Sequence, residues 1–544
     1  MTVATGLLFA LTAALTTAIA SRVPLHLLQL ESYQLPGYRR AAWDNALRAI
    51  IPGAICAAVN ALLLGLIAWI IRLIAGAEGE RIPLWADALC LIGTALLSVA
   101  CALFVDRGVR RRPAKKPLVI TPRVKRLVVM LAAVALAIAC ALIFAARLSA
   151  AALFLPLFAA LIVPLAAALI SPAEKRINRS FFLDAQKRLS NRSDLIKIGI
   201  TGSYGKTSTK FFLATILSEK YKTLATPSSF NTPMGVTRVV REQLTDEHQV
   251  FIAEMGARHV GEIKELCELV RPKYGILTSV GPQHLETFFT LENITNTKYE
   301  LVEALPEDGA AIFADDGGIV KSLYDKTEKP AKYLAASDAP GLGARAEDVE
   351  TGPWGSRFRL ILADGSRTKC ETKLLGAHNI QNVLLACTMA AVLGMSAEQI
   401  AAGVAKIEPV EHRLQIIPSA NGVTIIDDAF NSNPIGARAA LDVLRTFPQR
   451  RVIVTPGLVE LGDKQAELNK EYGKSMKGAA DVAIIVGRTN SKPIYDGLIE
   501  AGFPEDSIRM AEDLDRAQSL LAELPIAAGD TVLFENDLPD NYKN

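Results

Sequence analysis

The chain of 544 residues lacks three features that often decide a functional class: paired cysteines, a strong net charge and internal repeats. Its seven cysteines are scattered without a CxxC pair, so no disulfide framework is predicted and a reducing compartment is expected for the soluble part. The net charge is only +3, and no segment combines dense Lys and Arg with interleaved aromatic residues. No nucleic-acid partner is therefore expected. The length predicts several domains.

The N-terminal third of the chain almost lacks ionisable side chains over five apolar runs. These runs cover residues 3–20, 50–74, 84–105, 127–146 and 150–170. Each approaches or exceeds the ~20 residues that an α-helix needs to cross a bilayer. For the first run, a cleaved signal peptide ending at Ala18-Ile19-Ala20 is the alternative, but no basic residue precedes its apolar core. Residues 1–175 are therefore predicted to form a membrane region with about five transmembrane helices.

The loops between these runs predict the orientation. Lys and Arg are concentrated after the first, third and fifth runs, at Arg22, Arg39, Arg40 and Arg48, then Arg107, Arg110, Arg111, Arg112, Lys115, Lys116, Arg123, Lys125 and Arg126, then Lys175, Arg176 and Arg179. The positive-inside rule places the N-terminus outside and the C-terminal part in the cytoplasm, at the inner cell membrane. The long basic loop is explained by topology and lipid contact, or by specific binding of an anionic lipid headgroup. The scarcity of charge within the runs favours an anchor, or a surface for a lipid-linked substrate, over a transport path.

Strand-like and helix-like segments alternate after about residue 191. The predicted strands cover 194–201, 250–255, 274–280, 423–428, 451–455 and 482–486, and helices are predicted over 206–220, 377–393 and 435–446. This alternation predicts an α/β fold with mostly parallel sheets. Residues 310–373 are richer in short strands and turns and are expected to form an antiparallel patch. A boundary near residues 408–412 divides the region into predicted domains at 191–407 and 408–544.

A phosphate-binding loop is indicated by Thr201-Gly-Ser-Tyr-Gly-Lys-Thr-Ser208, which follows a buried strand and opens a helix. The backbone N–H groups of such a glycine-rich loop and the helix N-terminus bind phosphate, a lysine reaches the terminal phosphates, and a hydroxyl holds Mg²⁺. The predicted groups are Gly202, Ser203, Gly205, Lys206, Thr207 and Ser208. Ile200 stands where the usual motif has its first glycine, so a chance Gly-Lys-Thr in an ordinary strand–helix turn is the alternative.

Three further segments carry polar residues at strand ends or in turns. Glu254 lies near the end of a predicted strand, where open α/β sheets place ligand groups and a carboxylate can hold Mg²⁺. His284 follows a Gly-Pro turn, and Lys298 lies fourteen residues later. Two Asn-rich loops, 375–382 and 425–434, could bind a base and ribose. Taken singly, each is equally explained by a surface Glu, a structural His, a solvated Lys or ordinary turn residues.

In this order the segments closely resemble the Mur ligase family, and within it the MurF-type ligases, from about residue 197 to residue 530. The matching motifs are Thr201–Ser208, Glu254-Met-Gly-Ala257, Val280-Gly-Pro-Gln-His-Leu-Glu286, Lys298, Gly376-Ala-His-Asn379, Asp427-Asp-Ala-Phe-Asn-Ser-Asn-Pro434 and Glu460-Leu-Gly462. The resemblance implies a central ATP-binding domain with a phosphate loop and a C-terminal Rossmann-like domain, with the active site between them. It assigns Lys206, Glu254, His284 and Lys298 to catalysis, and Thr207, Glu254, His284 and Lys298 to Mg²⁺. Asn379 is implied on the adenine side, and Arg413 and Asp427 where the C-terminal domain closes on ATP.

The resemblance also implies the chemistry. ATP phosphorylates a carboxylate, the amine of an amino acid or dipeptide attacks the acyl phosphate, and an amide forms. Mg²⁺ and Lys206 would neutralise the transferring phosphoryl group. Lys298 matches a lysine that many Mur ligases carry as a carbamate.

The chain departs from the MurF pattern at several positions. The membrane runs occupy the place of a soluble domain that grips the UDP end of the substrate. Tyr204 replaces an asparagine, Phe430 replaces a tyrosine, and the acidic segment 532–541 replaces a Lys-Gly-Ser-Arg motif. The leading interpretation is a membrane-anchored amide ligase of cell-envelope synthesis that acts on a lipid-linked or UDP-linked glycopeptide. The alternatives are the same chemistry on another polymer, such as poly-γ-glutamate, and a membrane ATP-binding scaffold without catalysis.

Overall fold

The computed structural model describes residues 3–75, 84–111, 117–227, 230–419, 421–430, 433–459 and 461–536. The chain divides into two compact units, Met1–Asn178 and Arg179–Asn544. We refer to them as the helical unit and the ligase unit.

The helical unit contains α-helices that cover most of its residues. They are α1 (Val3–Ala20), α2 (Arg22–Leu30), α3 (Leu35–Asp44), α4 (Ala46–Ala75), α5 (Leu84–Arg110), α6 (Pro122–Cys140), α7 (Ser149–Ala152) and the start of α8 (Ala159–Ser190). Five segments are helical, long and apolar enough to cross a membrane: Val3–Ala20, Ala46–Leu66, Ile92–Arg110, Pro122–Ala145 and Leu155–Ser190. They overlap the five predicted runs, which supports the helical character of these runs.

Helix α8 continues into the ligase unit, whose core includes Phe182, Ala185 and Leu189 from its last turns. Asp184 on the same stretch forms an ion pair with Arg241 at 2.7 Å. The second compact unit thus begins at Arg179, twelve residues before the predicted domain start at residue 191. Residues 179–190 form an amphipathic stretch of helix, and one face of it packs against a protein core. A search for continuous apolar runs does not detect such a stretch.

The first sheet of the ligase unit is parallel throughout, with strand order β2-β3-β1-β4-β5-β6. Its strands are β1 (Ile196–Thr201), β2 (Thr223–Ala225), β3 (Val250–Glu254), β4 (Tyr274–Leu277), β5 (Ala310–Ala314) and β6 (Lys332–Ala335). The helices between and beside them are α9 (Lys206–Leu217), α10 (Pro233–Glu242), α11 (Glu262–Val270), α12 (Leu285–Phe288), α13 (Leu291–Ala304), α14 (Ile319–Lys326), α15 (Ala377–Val392) and α16 (Ala397–Ala405). Helices cover both faces, which explains the continuous Val/Ile/Ala runs of β3 and β5.

A small antiparallel sheet follows, formed by β7 (Arg345–Gly352), β8 (Gly355–Ile361) and β9 (Arg367–Thr372). The predicted antiparallel patch over 310–373 is thus correct for its second half. Its first half is wrong, because β5 and β6 extend the parallel sheet. Short apolar strands have the same sequence pattern in parallel and antiparallel sheets, and only the intervening helix α14 indicates the parallel arrangement.

The second large sheet has the order β10-β11-β15-β12-β13-β14, with β10 antiparallel at the edge and the other strands parallel. Its strands are β10 (Gln415–Pro418), β11 (Thr424–Asp428), β12 (Arg451–Thr455), β13 (Val482–Val486), β14 (Ile508–Ala511) and β15 (Thr531–Glu535). The helices around it are α17 (Pro434–Arg445), α18 (Gln465–Ser475), α19 (Ser491–Glu500) and α20 (Leu514–Glu523). The predicted strands at 451–455 and 482–486 match β12 and β13 residue for residue. The predicted α/β class is confirmed for the ligase unit.

Candidate active site

The candidate site lies at the carboxyl end of β1, where the chain passes into the loop 202–205 and helix α9. Strand β1 is flanked by β3 on one side and β4 on the other. The connections from β1 to β2 and from β3 to β4 therefore leave toward opposite halves of the sheet. Open α/β sheets bind ligands at such a switch point, outside the carboxyl ends of the strands.

Gly202 is required at the start of this loop for steric reasons. Its φ is +150°, and a Cβ atom there would lie 2.1 Å from Thr278 Oγ1 and 2.9 Å from the backbone N of Ser279. Gly205 has φ +78° at the N-cap of α9, and an added Cβ would lie 2.5 Å from Asn382 Oδ1. Glycine at both positions therefore lets the loop adopt positive φ and pack closely against Thr278, Ser279 and Asn382.

The loop is fixed to the turn that follows β4. Ser203 N donates to Ser279 O at 2.8 Å, and Ser203 Oγ bonds both to Gly281 O and to Gly281 N at 3.0 Å. Tyr204 N donates to Ser279 Oγ at 2.7 Å, and the Tyr204 hydroxyl donates to Pro282 O at 2.8 Å. Tyr204, a departure from the family pattern, thus holds the two loops together through its side chain.

Lys206, Thr207 and Glu254, three of the predicted site residues, lie close together. Thr207 Oγ1 donates to Glu254 Oε1 at 3.2 Å, and Lys206 Nζ donates to Gly202 O at 2.6 Å and to Ser203 O at 2.9 Å. Burial lowers the pKa of Lys206 to about 8, although Glu254 opposes this shift. Ser208 is buried in the first turn of α9.

Two residues that the motifs did not single out complete the surroundings of Glu254. Lys210 Nζ donates to Glu254 Oε2 at 3.0 Å, and Asn231 Nδ2 donates to Oε1 at 3.0 Å. Burial raises the pKa of Glu254, but the positive charges of Lys210 and Lys206 and the Asn231 hydrogen bond outweigh it, so the net pKa is lowered. Glu254 is therefore an anion at neutral pH, as a metal ligand must be.

Lys298 is buried in α13, with 2% of its surface exposed. Desolvation and the nearby charge of Lys206 lower its pKa to about 7. A substantial fraction of the amine is thus neutral at physiological pH. Only a neutral amine can add to CO₂, so this environment favours the reaction that forms a carbamate.

The residues at the loop fit ATP and Mg²⁺. Lys206 supplies a cation at the N-terminus of α9, and the adjacent Thr207 hydroxyl and Glu254 carboxylate are the hard oxygen donors that Mg²⁺ prefers. No three His, Cys, Asp or Glu side chains are grouped as a metal site among the described residues. His284 lies after β4 with φ +52°, in the left-handed region that non-glycine residues seldom adopt. Its metal-binding role stays a prediction.

The predicted nucleotide residues of the second half of the ligase unit are placed as follows. Arg413 is close enough to Lys206 and Glu254 to influence the pKa of Lys206, and its guanidinium lies 5.1 Å from the Phe430 ring centroid. Asp427 Oδ2 pairs with His412 Nδ1 at 2.6 Å. Asn379 Nδ2 donates to Leu375 O at 2.9 Å. Arg413 thus joins the site through its charge, whereas the described contacts of Asp427 and Asn379 are local ones.

Asp428, the neighbour of Asp427, has an unusual environment. Its Oδ1 accepts a hydrogen bond from Leu414 N at 3.1 Å. Burial raises its pKa to about 6, against the opposing effects of that bond and of Arg413. Parts of the quoted motifs lie outside the described residues: Asn431 and Ser432, Glu460, and the C-terminal segment from Asp537 onward.

Comparisons with known proteins agree with this geometry. A family model of the Mur ligase middle domain matches residues 200–390, and one of the Mur ligase glutamate ligase domain matches residues 412–535. The UDP-N-acetylmuramoyl-tripeptide–D-alanyl-D-alanine ligase of Mycobacterium leprae is 30% identical over 366 residues, which cover 62% of this chain and 70% of that protein. The chain belongs to the Mur ligase family. The members of this family are ATP-dependent ligases that form carbon–nitrogen bonds.

Two further relatives are similar over 62% and 68% of the chain. The ligase of the same name from Mycobacterium tuberculosis is 32% identical over 352 residues, covering 62% of this chain and 66% of that protein. A crystal structure of MurF from Acinetobacter baumannii has a TM-score of 0.60 at 26% identity and covers 68% of this chain and 78% of that one. The chain thus spans 66%, slightly less than two thirds, of the length of the Mycobacterium tuberculosis ligase.

Sequence reasoning missed three residues that support the site in this Mur ligase. They are Lys210, Asn231 and Asn382, whose Oδ1 accepts from Thr209 Oγ1 at 3.3 Å and packs against Gly205. Lys210 offered a usable signal, since it lies four residues after Lys206 and therefore on the same face of α9. Asn382, in α15, ends the Asn-rich segment 375–382, but the motif pointed to Asn379 instead. Asn231 comes from a distant loop and offered no signal.

Proposed function

We propose that this chain is an ATP-dependent amide ligase of the MurF type, held at the membrane by its helical unit. The observation that carries the proposal is the group formed by Lys206, Thr207 and Glu254 at the switch point of the parallel sheet. The MurF relatives support it, because they match both halves of the ligase unit.

The side chains divide the chemistry as follows. Lys206 and the loop N–H groups bind the phosphates, and Thr207 and Glu254 hold Mg²⁺, which supplies charge neutralisation at the transferring phosphoryl group. The substrate carboxylate attacks the γ-phosphorus and ADP leaves, which gives an acyl phosphate. The amine then attacks the acyl carbon, loses a proton and expels phosphate. Arg413 supplies a further positive charge beside the phosphates.

Lys298 is proposed to act as a carbamate. Its burial and low pKa favour the neutral amine that CO₂ requires. The carbamate would change a cation into an anion beside Lys206, and would supply oxygen atoms toward Mg²⁺. Lys298→Ala should lose most ligation activity and regain part of it with small carboxylic acids. A carbamate resonance in ¹³C spectra recorded with labelled bicarbonate should be present in the wild type and absent from this variant.

The relatives' names suggest the substrates, namely a UDP-N-acetylmuramoyl tripeptide and D-alanyl-D-alanine. We propose a muramoyl peptide as the carboxylate acceptor and an amino acid or dipeptide as the amine, for peptidoglycan synthesis. The five apolar helices support a location at the inner membrane, and the Lys and Arg residues of the loops favour a cytoplasmic ligase unit. The helices also favour a second candidate acceptor, a lipid-linked form of the same glycopeptide.

The proposal is tested with full-length protein in detergent. Purified protein is incubated with ATP, Mg²⁺, D-alanyl-D-alanine and either a UDP-linked or a lipid-linked muramoyl peptide, and products are identified by mass spectrometry. An amide product with stoichiometric ADP is expected, and Lys206→Ala should lower the rate by orders of magnitude because it removes charge stabilisation of the phosphoryl group. A parallel reaction contains poly-γ-glutamate in place of the muramoyl peptide, and a product formed only there would assign the enzyme to that polymer. ATP binding without any product would indicate a scaffold.

A further inference from the structure

The helical unit contains a pocket of about 250 Å³. Its polar residues lie toward one end, because Arg123 is one turn before Leu127 in α6 and Ser171 is one turn after Ala167 in α8. Its polar lining comes from Tyr33, Arg123, Ser171 and Glu174, and its apolar lining includes Leu127 and Ala167. Pockets that enclose a whole drug-sized ligand usually measure ~300–1,000 Å³. This pocket is therefore large enough for a small headgroup, and the rest of such a ligand would lie outside it.

At the polar end of the pocket, the positive charge of Arg123 is available to bind a ligand. Glu174 is buried, and Arg126 satisfies both of its oxygens, with Nε to Oε1 at 2.6 Å and Nη2 to Oε2 at 2.9 Å. The Arg123 Nε lies 3.9 Å from Glu174 Oε2, which is too far for a hydrogen bond. Within the part of the chain that the structure describes, no hydrogen bond of the Arg123 guanidinium is found. Two arginines and one glutamate leave a net positive charge at the pocket.

Arg123 is held in place without consuming its donors. Its guanidinium carbon lies 3.8 Å from the centroid of the Tyr33 ring. Tyr33 reaches this position from a turn in which both it and Ser32 have positive φ, at +64° and +52°. Non-glycine residues adopt this conformation at an energetic cost, and such strain is concentrated at binding sites. Arg123 also lies in the first turn of α6, where the positive end of the helix dipole favours an anion.

Helix α8 contributes a hydrogen-bond acceptor at the same place. Pro172 cannot donate the helical hydrogen bond to the carbonyl of Ala168, a residue that lines the pocket. Elsewhere in the same helix, Pro164 leaves the carbonyl of Ala160 in the same situation, and the Tyr38 hydroxyl bonds to it at 2.7 Å. No side chain among the described residues does so for Ala168. A ligand that carries a hydroxyl or amine beside its anion would bind both the Arg123 guanidinium and the Ala168 carbonyl.

The predicted topology places all parts of this pocket at the cytoplasmic surface. Tyr33 lies between the first and second spans and Arg123 at the start of the fourth, whereas Ser171 and Glu174 follow the end of the predicted fifth apolar run at residue 170. An arginine over a tyrosine, with apolar residues on one side, is typical of the headgroup level of a bilayer. We propose that this pocket binds the phosphate group of a membrane lipid in the inner leaflet, with the hydrocarbon chain leaving along its apolar end.

The test uses full-length protein in detergent micelles and native mass spectrometry. Three probes are titrated: phosphatidylglycerol, a polyprenyl diphosphate and inorganic diphosphate. Arg123→Gln should weaken binding of the lipid probes at least tenfold, because it removes the available cation while Arg126 still neutralises Glu174. Lys125→Gln is the matched control. It removes the same charge from the same helical turn, but Lys125 is exposed and does not line the pocket, so binding should change less than threefold.

Ser171→Leu provides a second variant that fills the pocket without a change of charge, and it should also weaken binding at least tenfold. Wild-type lipid binding in both pocket variants would overturn the proposal. Inorganic diphosphate bound as tightly as the lipids would overturn the lipid assignment and leave a soluble phosphate as the ligand. Tighter binding of the polyprenyl diphosphate than of phosphatidylglycerol would identify a carrier lipid, and the reverse order would identify a structural phospholipid.

The site and the proposed function can fail separately. Ligation of the UDP-linked acceptor is measured on the same preparations and needs no lipid in the pocket. Loss of lipid binding in Arg123→Gln with no ligation by any preparation would uphold the site and reject the ligase proposal. Ligation by every preparation, with lipid binding unaffected in both pocket variants, would uphold the ligase proposal and reject the lipid site.

Discussion

At the residue scale, Lys210 and Glu254 form an ion pair whose side chains are 0% and 1% exposed. Breaking a buried pair by removing one partner typically costs about 3–5 kcal/mol, because the remaining charge is left without compensation. Lys210→Met should therefore lower the unfolding temperature of the full-length protein by several degrees. The change should also raise the pKa of Glu254, so Mg²⁺-dependent ATP turnover should require a higher pH. Differential scanning fluorimetry and turnover assays across pH measure both effects.

Lys222→Met is the control for this prediction. Lys222 forms an ion pair with Glu247, and both side chains are more than half exposed. Exposed pairs contribute about 0–1 kcal/mol, so the unfolding temperature should change little. Equal shifts in the two variants would show that burial of the Lys210 pair has no special effect.

Lys298 gives a pH-dependent prediction. Its pKa is about 7 in the folded chain and 10.5 when unperturbed, so the unfolded chain binds more protons between these values. Stability should therefore rise as the pH increases from 7 toward 10, by at most about 1.4 kcal/mol per pH unit for this group. Lys298→Met should flatten that rise. Unfolding temperatures in CO₂-free buffers test this, and identical pH profiles for both proteins would contradict it.

The residues around Glu254 also show what a single sequence can predict. Lys206 and Thr207 were predicted because a phosphate-binding loop has a fixed spacing of residues. Glu254 was predicted because it lies at the end of a strand, where such sheets place ligand groups. Asn231 could not be predicted, since a loop between β2 and α10 brings it to Glu254 and no local pattern marks that contact.

At the scale of elements, the loop between β1 and α9 depends on its first glycine. Gly202→Ala should abolish ATP binding, because its Cβ would collide with Thr278 Oγ1 and press on the backbone of Ser279. Gly365→Ala is the control, as Gly365 also has a positive φ, +87°, but an added Cβ there meets no atom within 4 Å. The control should lose a little stability through backbone strain and keep ATP affinity. Isothermal titration with ATP compares them, and equal affinities would refute the steric argument.

Elements with a strong local pattern were predicted well. Strands β12 and β13 are short Val/Ile runs bounded by polar residues, and their bounds match the prediction. Strand β5 was assigned to the wrong kind of sheet, because its five buried residues carry no information on the direction of their neighbours. Sheet direction depends on the crossover helix α14, which has only eight residues.

At the scale of the whole molecule, helix α8 links the two units in sequence and contributes to the core of the second. A protein that begins at residue 191 would lose Phe182, Ala185 and Leu189 from that core. Full burial of a large apolar side chain contributes roughly 1.5–3 kcal/mol, so this truncation should be unstable. The sequence alone suggested residue 191 as the boundary, because the apolar run ends well before the helix does.

A protein that begins at Arg179 keeps this part of the core and separates the two acceptors of the proposed function. It should bind ATP and ligate a UDP-linked muramoyl peptide, since every described residue of the candidate site lies in the ligase unit. With a lipid-linked acceptor in vesicles, it should lose most of the rate of the full-length protein, because membrane placement no longer raises the local concentration of substrate. Rates of both proteins on both acceptors are compared by mass spectrometry, with Lys206→Ala as the inactive reference. Equal rates of the two proteins on the lipid-linked acceptor would show that the helical unit is dispensable for substrate delivery. If the truncated protein is faster than the full-length protein on the UDP-linked acceptor, that acceptor is the natural one.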